Sequence, residues 1–306
     1  MNKGAYEMKR RIKEHKLYTR SGRIIGKVIL YLLLIEFAFV FLYPLFYMLI
    51  NSFKFPSDLL DLNSKWIISS INWENYTDAY KELNYFSSLK TSVLITVLCT
   101  IGHVCSCSMI AYGLTRFEFR GRKLMFAAVI LTILVPPQIL QIPLYIQNAR
   151  AGWIGTILPM VVPSLFGGGL NGGLFIFIFM QFFKGMPKAY EEAAQLEGCS
   201  SFYIFRRIIM PMSGSAIVVV STLSVIWHWN DIFESKAYLN GGTKTLMQKL
   251  AAFPAYMYEN TTADGLVISI TNFAACVLVL IPITLFLLLI QKRFINGAED
   301  SGLANS

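Results

Sequence analysis

Apolar and polar residues in this chain alternate in long blocks. Apolar runs occupy residues 28–50, 93–112, 124–142, 157–183, 208–229 and 268–290. Each approaches or exceeds the roughly 20 residues that a helix needs to cross about 30 Å of hydrocarbon. In lipid, every backbone N–H and C=O must find its partner within the segment, so the runs are expected to be helices. The pattern predicts an all-α membrane protein with six transmembrane helices. It divides the chain into an N-terminal segment at 1–27, a six-span domain at 28–293 and a polar tail at 294–306.

Two of the runs are interrupted. Gly167-Gly168-Gly169 and Gly172-Gly173 fall in the fourth, and Pro136-Pro137 in the third, with Pro143 following. Glycine at that density bends a helix or lets another backbone approach closely. Two compatible readings follow: tight packing of kinked helices, or broken backbone lining a water-filled path. The polar segments between runs are unequal. Segment 51–90 carries Trp66 and Trp73-x-x-Tyr76, aromatic residues of the kind that favour the membrane interface. Segment 231–267 contains Gly241-Gly242 and then the aromatic-rich stretch 246–258.

Charge orients this pattern. Nine Lys/Arg precede Val28, four lie in 116–123, four in 184–207, and Lys292 and Arg293 follow the last run. With both termini cytoplasmic, 19 of the 27 basic residues lie inside, the bias expected for an even number of spans. The net charge of +9 is therefore a consequence of topology. The basic N-terminus reads as an orientation signal in contact with anionic lipid. No aromatic platform or readout motif accompanies it, which argues against nucleic acid as a partner. The run that follows is too long, and lacks the small-residue site, for a cleavable signal. Localisation is thus expected to be a membrane, with both termini on the cytoplasmic side.

Residues that carry catalysis or bind cofactors do not stand out. Gly241-Gly242-Thr243-Lys244-Thr245 has the wrong glycine spacing for a phosphate-binding loop, and no paired carboxylates or metal-ligand spacing occurs. The five cysteines read as small residues packing helix against helix. His15 lies in the basic tail, while His103 and His228 read as separate hydrogen-bonded packing residues in the second and fifth runs. Glu36 is the one carboxylate deep in a run. It is either proton-coupling or, on the more ordinary reading, paired or protonated in a helix contact. The expectation is a transport protein, not an enzyme, with no metal or cofactor of its own.

The polar, alanine-rich stretch 185–207 lies on the cytoplasmic side between the fourth and fifth runs. Pro187 suits a first helical position, 188–197 reads as a short helix, and Gly198 is placed to end it in a left-handed cap. Ser200 or Ser201 can cap a second short helix, 202–210, after which Pro211 opens the fifth run. Such a hairpin either sits in the cleft of a soluble partner or lies at the membrane interface as an amphipathic element with no partner.

Glu192-Ala193-Ala194, three residues, Gly198, then Ile208-x-Met210-Pro211 resembles the signature loop of inner-membrane subunits of binding-protein-dependent ABC importers. Met210 stands where leucine is usual, and Glu197-Gly198-Cys199 where Asp-Gly-Ala is commoner. Further stretches resemble the maltose-type (MalG-like) carbohydrate permeases. These are Pro44, Asn51-Ser52-Phe53-Lys54, 111–117 with Gly121-Arg122, Pro136, 141–145, 181–184, Trp229-Asn230-Asp231, 291–294 and Asn296-Gly297. The resemblance covers about residues 28 to 297.

It implies the cytoplasmic membrane of a bacterium as the location, a second permease subunit, two copies of an ATPase that carries ATP-Mg, and an extracytoplasmic solute-binding protein. Glu191, Glu192, Ala193, Ala194, Gly198, Ile208 and Pro211 would form the ATPase-coupling loop. Gly241, Gly242, Phe253 and Tyr256 would belong to an outer loop that helps release substrate. The tail would reach toward the ATPases. The implied cargo is a sugar, in particular an oligosaccharide. A non-sugar ABC permease and an ion-coupled secondary transporter are the alternatives, and the latter would need ionisable residues near mid-membrane and inverted repeats.

Overall fold

The computed structural model describes residues 3–60, 66–68, 70–241, 243–260 and 265–300. Every regular element among them is helical. The chain divides at Asn72 into two units. In the first, helix α1 (Lys3–Asn51) runs unbroken from the basic segment through the first apolar run. Its apolar side chains from Val28 to Leu42 are exposed, as is Glu36, whereas Tyr43, Tyr47 and Met48 are half-buried. The Tyr43 and Tyr47 rings meet Trp66 edge-on, with centroids 5.1 and 6.0 Å away. A short helix α2 (Pro56–Leu60) follows.

The second unit is organised around α4 (Tyr85–Arg116), preceded by α3 (Glu74–Glu82). Next come α5 (Arg122–Leu134), α6 (Pro137–Arg150), α7 (Leu158–Leu165) and α8 (Gly172–Gly185). Then follow α9 (Ala189–Leu196), α10 (Ser201–Ile204), a π-helical turn (Phe205–Ile209), α11 (Met210–Met212) and α12 (Gly214–Asn230). The last three are α13 (Phe233–Tyr238), α14 (Leu246–Asn260) and α15 (Gly265–Asp300). Helix α4 packs against α7, α8 and α12, and α15 against α3, α12 and α14.

Lipid supplies little hydrophobic drive between helices, so close packing of small residues has to hold them. Helix α4 accordingly buries Gly102, Ser106, Cys107, Ser108 and Ala111. A Cβ at Gly102 would lie 2.6 Å from Ser164 Oγ and 3.2 Å from Leu165 N, so α4 and α7 approach at a distance only glycine allows.

Among the described residues, three helices are long and apolar enough to cross a membrane: Gly26–Asn51, Tyr85–Arg116 and Gly265–Phe294, which contain the first, second and sixth apolar runs. The other runs are not straight spans. The third is split by a 102° bend between α5 and α6, because Pro136 and Pro137 hold Val135 and Pro136 extended. The fourth is α7 and α8, separated by the glycine turn. The fifth opens at Gly214 and not at Pro211, with a 78° bend at Ser213. Counting each bent pair as one span gives up to five. Segments 51–90 and 231–267 are not simple loops, since they hold α2, α3, α13 and α14. The polar tail expected from residue 294 is helical to Asp300, and residues 301–306 lie outside the described residues.

Candidate functional site

The polar hairpin after α8 is built by its caps. Lys188 accepts the amides of Glu191 and Glu192 at 2.9 and 3.0 Å, and the two carboxylates in the first turn complement the positive end of the helix. The helix begins two residues after Pro187, which therefore precedes the cap instead of filling the first position. Gly198 ends α9 with φ +77°. Its amide donates to Gln195 O at 3.0 Å and the Cys199 amide to Ala194 O at 3.0 Å, the double closure of a Schellman turn. Ser200 then caps α10, its hydroxyl accepting the Tyr203 amide at 3.3 Å. The expected second helix over 202–210 is present as a continuous helical stretch, Ser201–Met212, whose middle, Phe205–Ile209, is a π turn with Phe205 and Ile209 buried.

One face of α9 is buried, carrying Glu191 and Ala194. Ala194 joins a core of Tyr112, Phe179, Phe183, Ile204, Phe205 and Ile209, and Ile208 packs beside it, half-buried. The opposite face is exposed and partly apolar: Glu192, Ala193 and Glu197 surround Leu196, which is 91% exposed. Tyr190 and Phe202 are also exposed. Pro211 is exposed just before the bend at Ser213, whose hydroxyl donates to Ile209 O at 2.6 Å.

Of the expected coupling set, Glu191 differs from Glu192 in pointing inward and being buried. Its Oε1 lies 2.6 Å from Arg116 Nε, with both side chains 7% exposed. The contact is an ion pair by distance without the alignment of a hydrogen bond. The Tyr112 hydroxyl donates to Glu191 Oε2 at 3.1 Å, and Arg116 Nη2 to Met186 O at 3.0 Å. Arg122 in turn closes the end of α4, donating to Leu114 O and Thr115 O at 2.8 and 3.2 Å.

The histidines expected to act separately form a pair, with ring centroids 5.3 Å apart. Ser224 joins them. Its hydroxyl accepts from Thr100 at 3.0 Å and lies 3.3 Å from His103 Nδ1, and its carbonyl is 3.0 Å from His228 Nδ1. His103 Nε2 reaches Gly168 O at 2.9 Å. Neutral tautomers satisfy the whole chain, with Nε2–H of His103 donating to the carbonyl. The cluster ties α4 and α12 to the glycine turn between α7 and α8. Of the cysteines, Cys99 and Cys107 are buried as expected, whereas Cys105 is exposed.

At the other end of α12, Asp231 accepts the amides of Glu234 and Ser235 at 3.1 and 2.8 Å and so caps α13. A cavity of about 340 Å³ opens beside it, lined by Gln141, Ile232, Phe233, Lys236 and Ala237. Burial pushes the Glu234 carboxyl up to about 8, with the Asp231 charge adding to the rise. Between its ordinary 4.5 and about 8, the folded chain holds a proton that the unfolded chain has released. The favourable term is complete below 4.5 and is lost as pH rises through that window. Glu234→Gln is therefore expected to raise Tm at about pH 8.5 and to change it little at about pH 4. Thermal unfolding in detergent at both pH values checks this, and equal shifts would contradict it.

Of the expected substrate-release residues, Gly241 and Phe253 are described. Gly241 sits in a turn at φ +85°. Gly242 and the Tyr256 side chain lie outside the described residues. Phe253 is 2% exposed, packed with Trp229, Leu246, Met257 and Ile268 because α14 is amphipathic and turns that face inward.

Residues 104–298 match the family described as binding-protein-dependent transport system inner membrane component. The chain is 28% identical over 284 residues to the probable ABC transporter permease protein YurM of Bacillus subtilis (strain 168), covering 91% of this chain and 89% of that protein. It is 25% identical to the arabinooligosaccharides transport system permease protein AraQ of Halalkalibacterium halodurans, over 87% of this chain and 92% of the relative. Its fold resembles a chain in the crystal structure of a bacterial ABC transporter involved in the import of the acidic polysaccharide alginate. That match has a TM-score of 0.75 and 20% identity, covering 90% of this chain and 98% of the other.

Proposed function

The chain belongs to the family of binding-protein-dependent transport system inner membrane components, and on that premise we propose that it is a sugar-importing permease subunit driven through the hairpin 189–204. It is an integral membrane protein and a transport subunit, whose family works with an ATPase and a solute-binding protein. The proposal adds six crossings with both termini cytoplasmic, the bent pairs and the α7–α8 break counting as crossings. It adds a second, different permease subunit and two ATPase copies that hold ATP-Mg, this chain binding none. The cargo is an oligosaccharide, by likeness to relatives such as the arabinooligosaccharide permease.

The observation that carries the coupling role is the exposed face of α9, where Glu192 and Ala193 surround a leucine that is 91% exposed. With Tyr190 and Phe202 also exposed, the hairpin presents apolar side chains rimmed by charge, the kind of surface that marks a protein contact. The segment around Gly241 is assigned to the extracytoplasmic side, facing the solute-binding protein. The test is uptake into proteoliposomes holding both permeases and the ATPase. Labelled oligosaccharide should enter only with solute-binding protein outside and ATP inside. Uptake without ATP would favour an ion-coupled transporter, and a solute-binding protein that takes only non-sugar ligands would overturn the cargo.

A further inference from the structure

We propose that Glu191 is a positioning residue that faces away from the ATPase and fastens the coupling helix to α4 through Arg116. This rests on the reading of α9 as the ATPase-docking helix. Helix α9 buries only Glu191 and Ala194. Ala194 contributes an apolar contact that resists separation but permits sliding. Glu191 contributes direction. Arg116 Nε approaches its Oε1 at 2.6 Å, and the Tyr112 hydroxyl takes its Oε2 at 3.1 Å. Arg116 also donates to Met186 O at 3.0 Å, in the connection between α8 and α9. The last turn of α4 therefore holds both the start of the hairpin and its first helical turn.

The pair is nine-tenths buried on each side, so water screens it little and the geometry is fixed. Helix α4 is 32 residues long, a rod of about 48 Å at 1.5 Å per residue. At mid-length it meets the cluster of Thr100, His103, Ser224 and Gly168 O that joins α12 and the glycine turn. A displacement of α9 by the ATPase is thus delivered to the end of a rigid helix and carried to the two elements that contact its centre. Adjacent glutamates have opposite roles: Glu192 faces the motor, and Glu191 faces α4.

The test uses the full complex in nanodiscs. Glu191→Gln and Arg116→Gln each leave one buried charge alone and are expected to lower the yield of assembled complex, while the double variant R116Q/E191Q restores it. The double variant should co-purify with the ATPase at the native ratio and hydrolyse ATP. Hydrogen exchange is then compared with and without trapping by ATP, Mg2+ and orthovanadate. In the native complex, trapping should change exchange in both α9 and α4; in the double variant the α9 change should persist and the α4 change should be lost. An unchanged α4 response in the double variant, no α4 response in the native complex, or loss of the ATPase from the double variant would each overturn the proposal. Failure of the underlying reading shows separately, as Glu192→Lys retaining ATPase and full ATP-driven uptake.

Discussion

Glu192→Lys and Gly198→Val are each expected to abolish ATP-driven uptake while the permease still reaches the membrane. Glu192 is exposed in the first turn of α9, so its reversal costs folding only about 0.3–1 kcal/mol through the helix dipole. If Glu192 pairs with a cation of the ATPase, as the proposed docking of α9 requires, losing that pair costs about 2–5 kcal/mol, much of it from the charge left unpaired. ATPase binding should therefore weaken at least about 30-fold. Gly198 acts through its backbone. Among the described residues beyond its chain neighbours, nothing lies within 4 Å of where its Cβ would sit, yet at φ +77° a non-glycine residue costs about 1–2 kcal/mol, more if β-branched. Gly198→Asn is the control, because asparagine tolerates that region. Val should uncouple and Asn should not. Membrane level, ATPase co-purification and uptake check all three variants, and normal uptake with Glu192→Lys and Gly198→Val would remove the coupling assignment.

The second large effect is on the fold. Gly173→Leu should prevent the packing of α8 on α5. A Cβ there would fall on the Thr132 hydroxyl and lie 3.1 Å from Val129 O, so the obstacle includes backbone. Overpacking of a close helix contact costs about 1–3 kcal/mol and more when neither backbone can yield. Gly113→Leu is the counterpart, with nothing within 4 Å of the added Cβ. It replaces a helix-interior glycine that is worth about 0.5–1 kcal/mol less than alanine. Thermal unfolding in detergent should show a lowered Tm for the first and an unchanged or raised Tm for the second.

The pattern of apolar blocks revealed the helices at 28–50, 93–112 and 268–290 because each is a single uninterrupted segment. It also located the breaks at Pro136-Pro137 and in the glycine turn, since both depend on local backbone chemistry. What it could not give was the direction taken after each break. The angles of 102° and 78° are not encoded in the apolar pattern, although Ser213-Gly214, with the Ser213 hydroxyl on Ile209 O, is a local mark of the second break. The hairpin was similarly legible in its punctuation, Gly198 and Ser200, and hidden in its orientation. Glu191 and Ala194 share a face at i, i+3, and that small signal separates Glu191 from Glu192. Its partner Arg116 is 75 residues earlier, so the pair leaves no local trace. The same distance problem hid the pairing of His103 with His228 through Ser224. The burial of Phe253 in α14 was hidden for a related reason. An aromatic stretch reads alike on a loop and on an amphipathic helix until the helix has something to cover.

The most direct measurement of the central claim is a cross-link. Leu196, 91% exposed on α9, is replaced by cysteine and the assembled importer is treated with a short bifunctional reagent. An adduct between this chain and the ATPase subunit, absent when the cysteine is placed instead at exposed Phe233, is the predicted result. No adduct from residue 196 in a complex that still hydrolyses ATP would contradict the account.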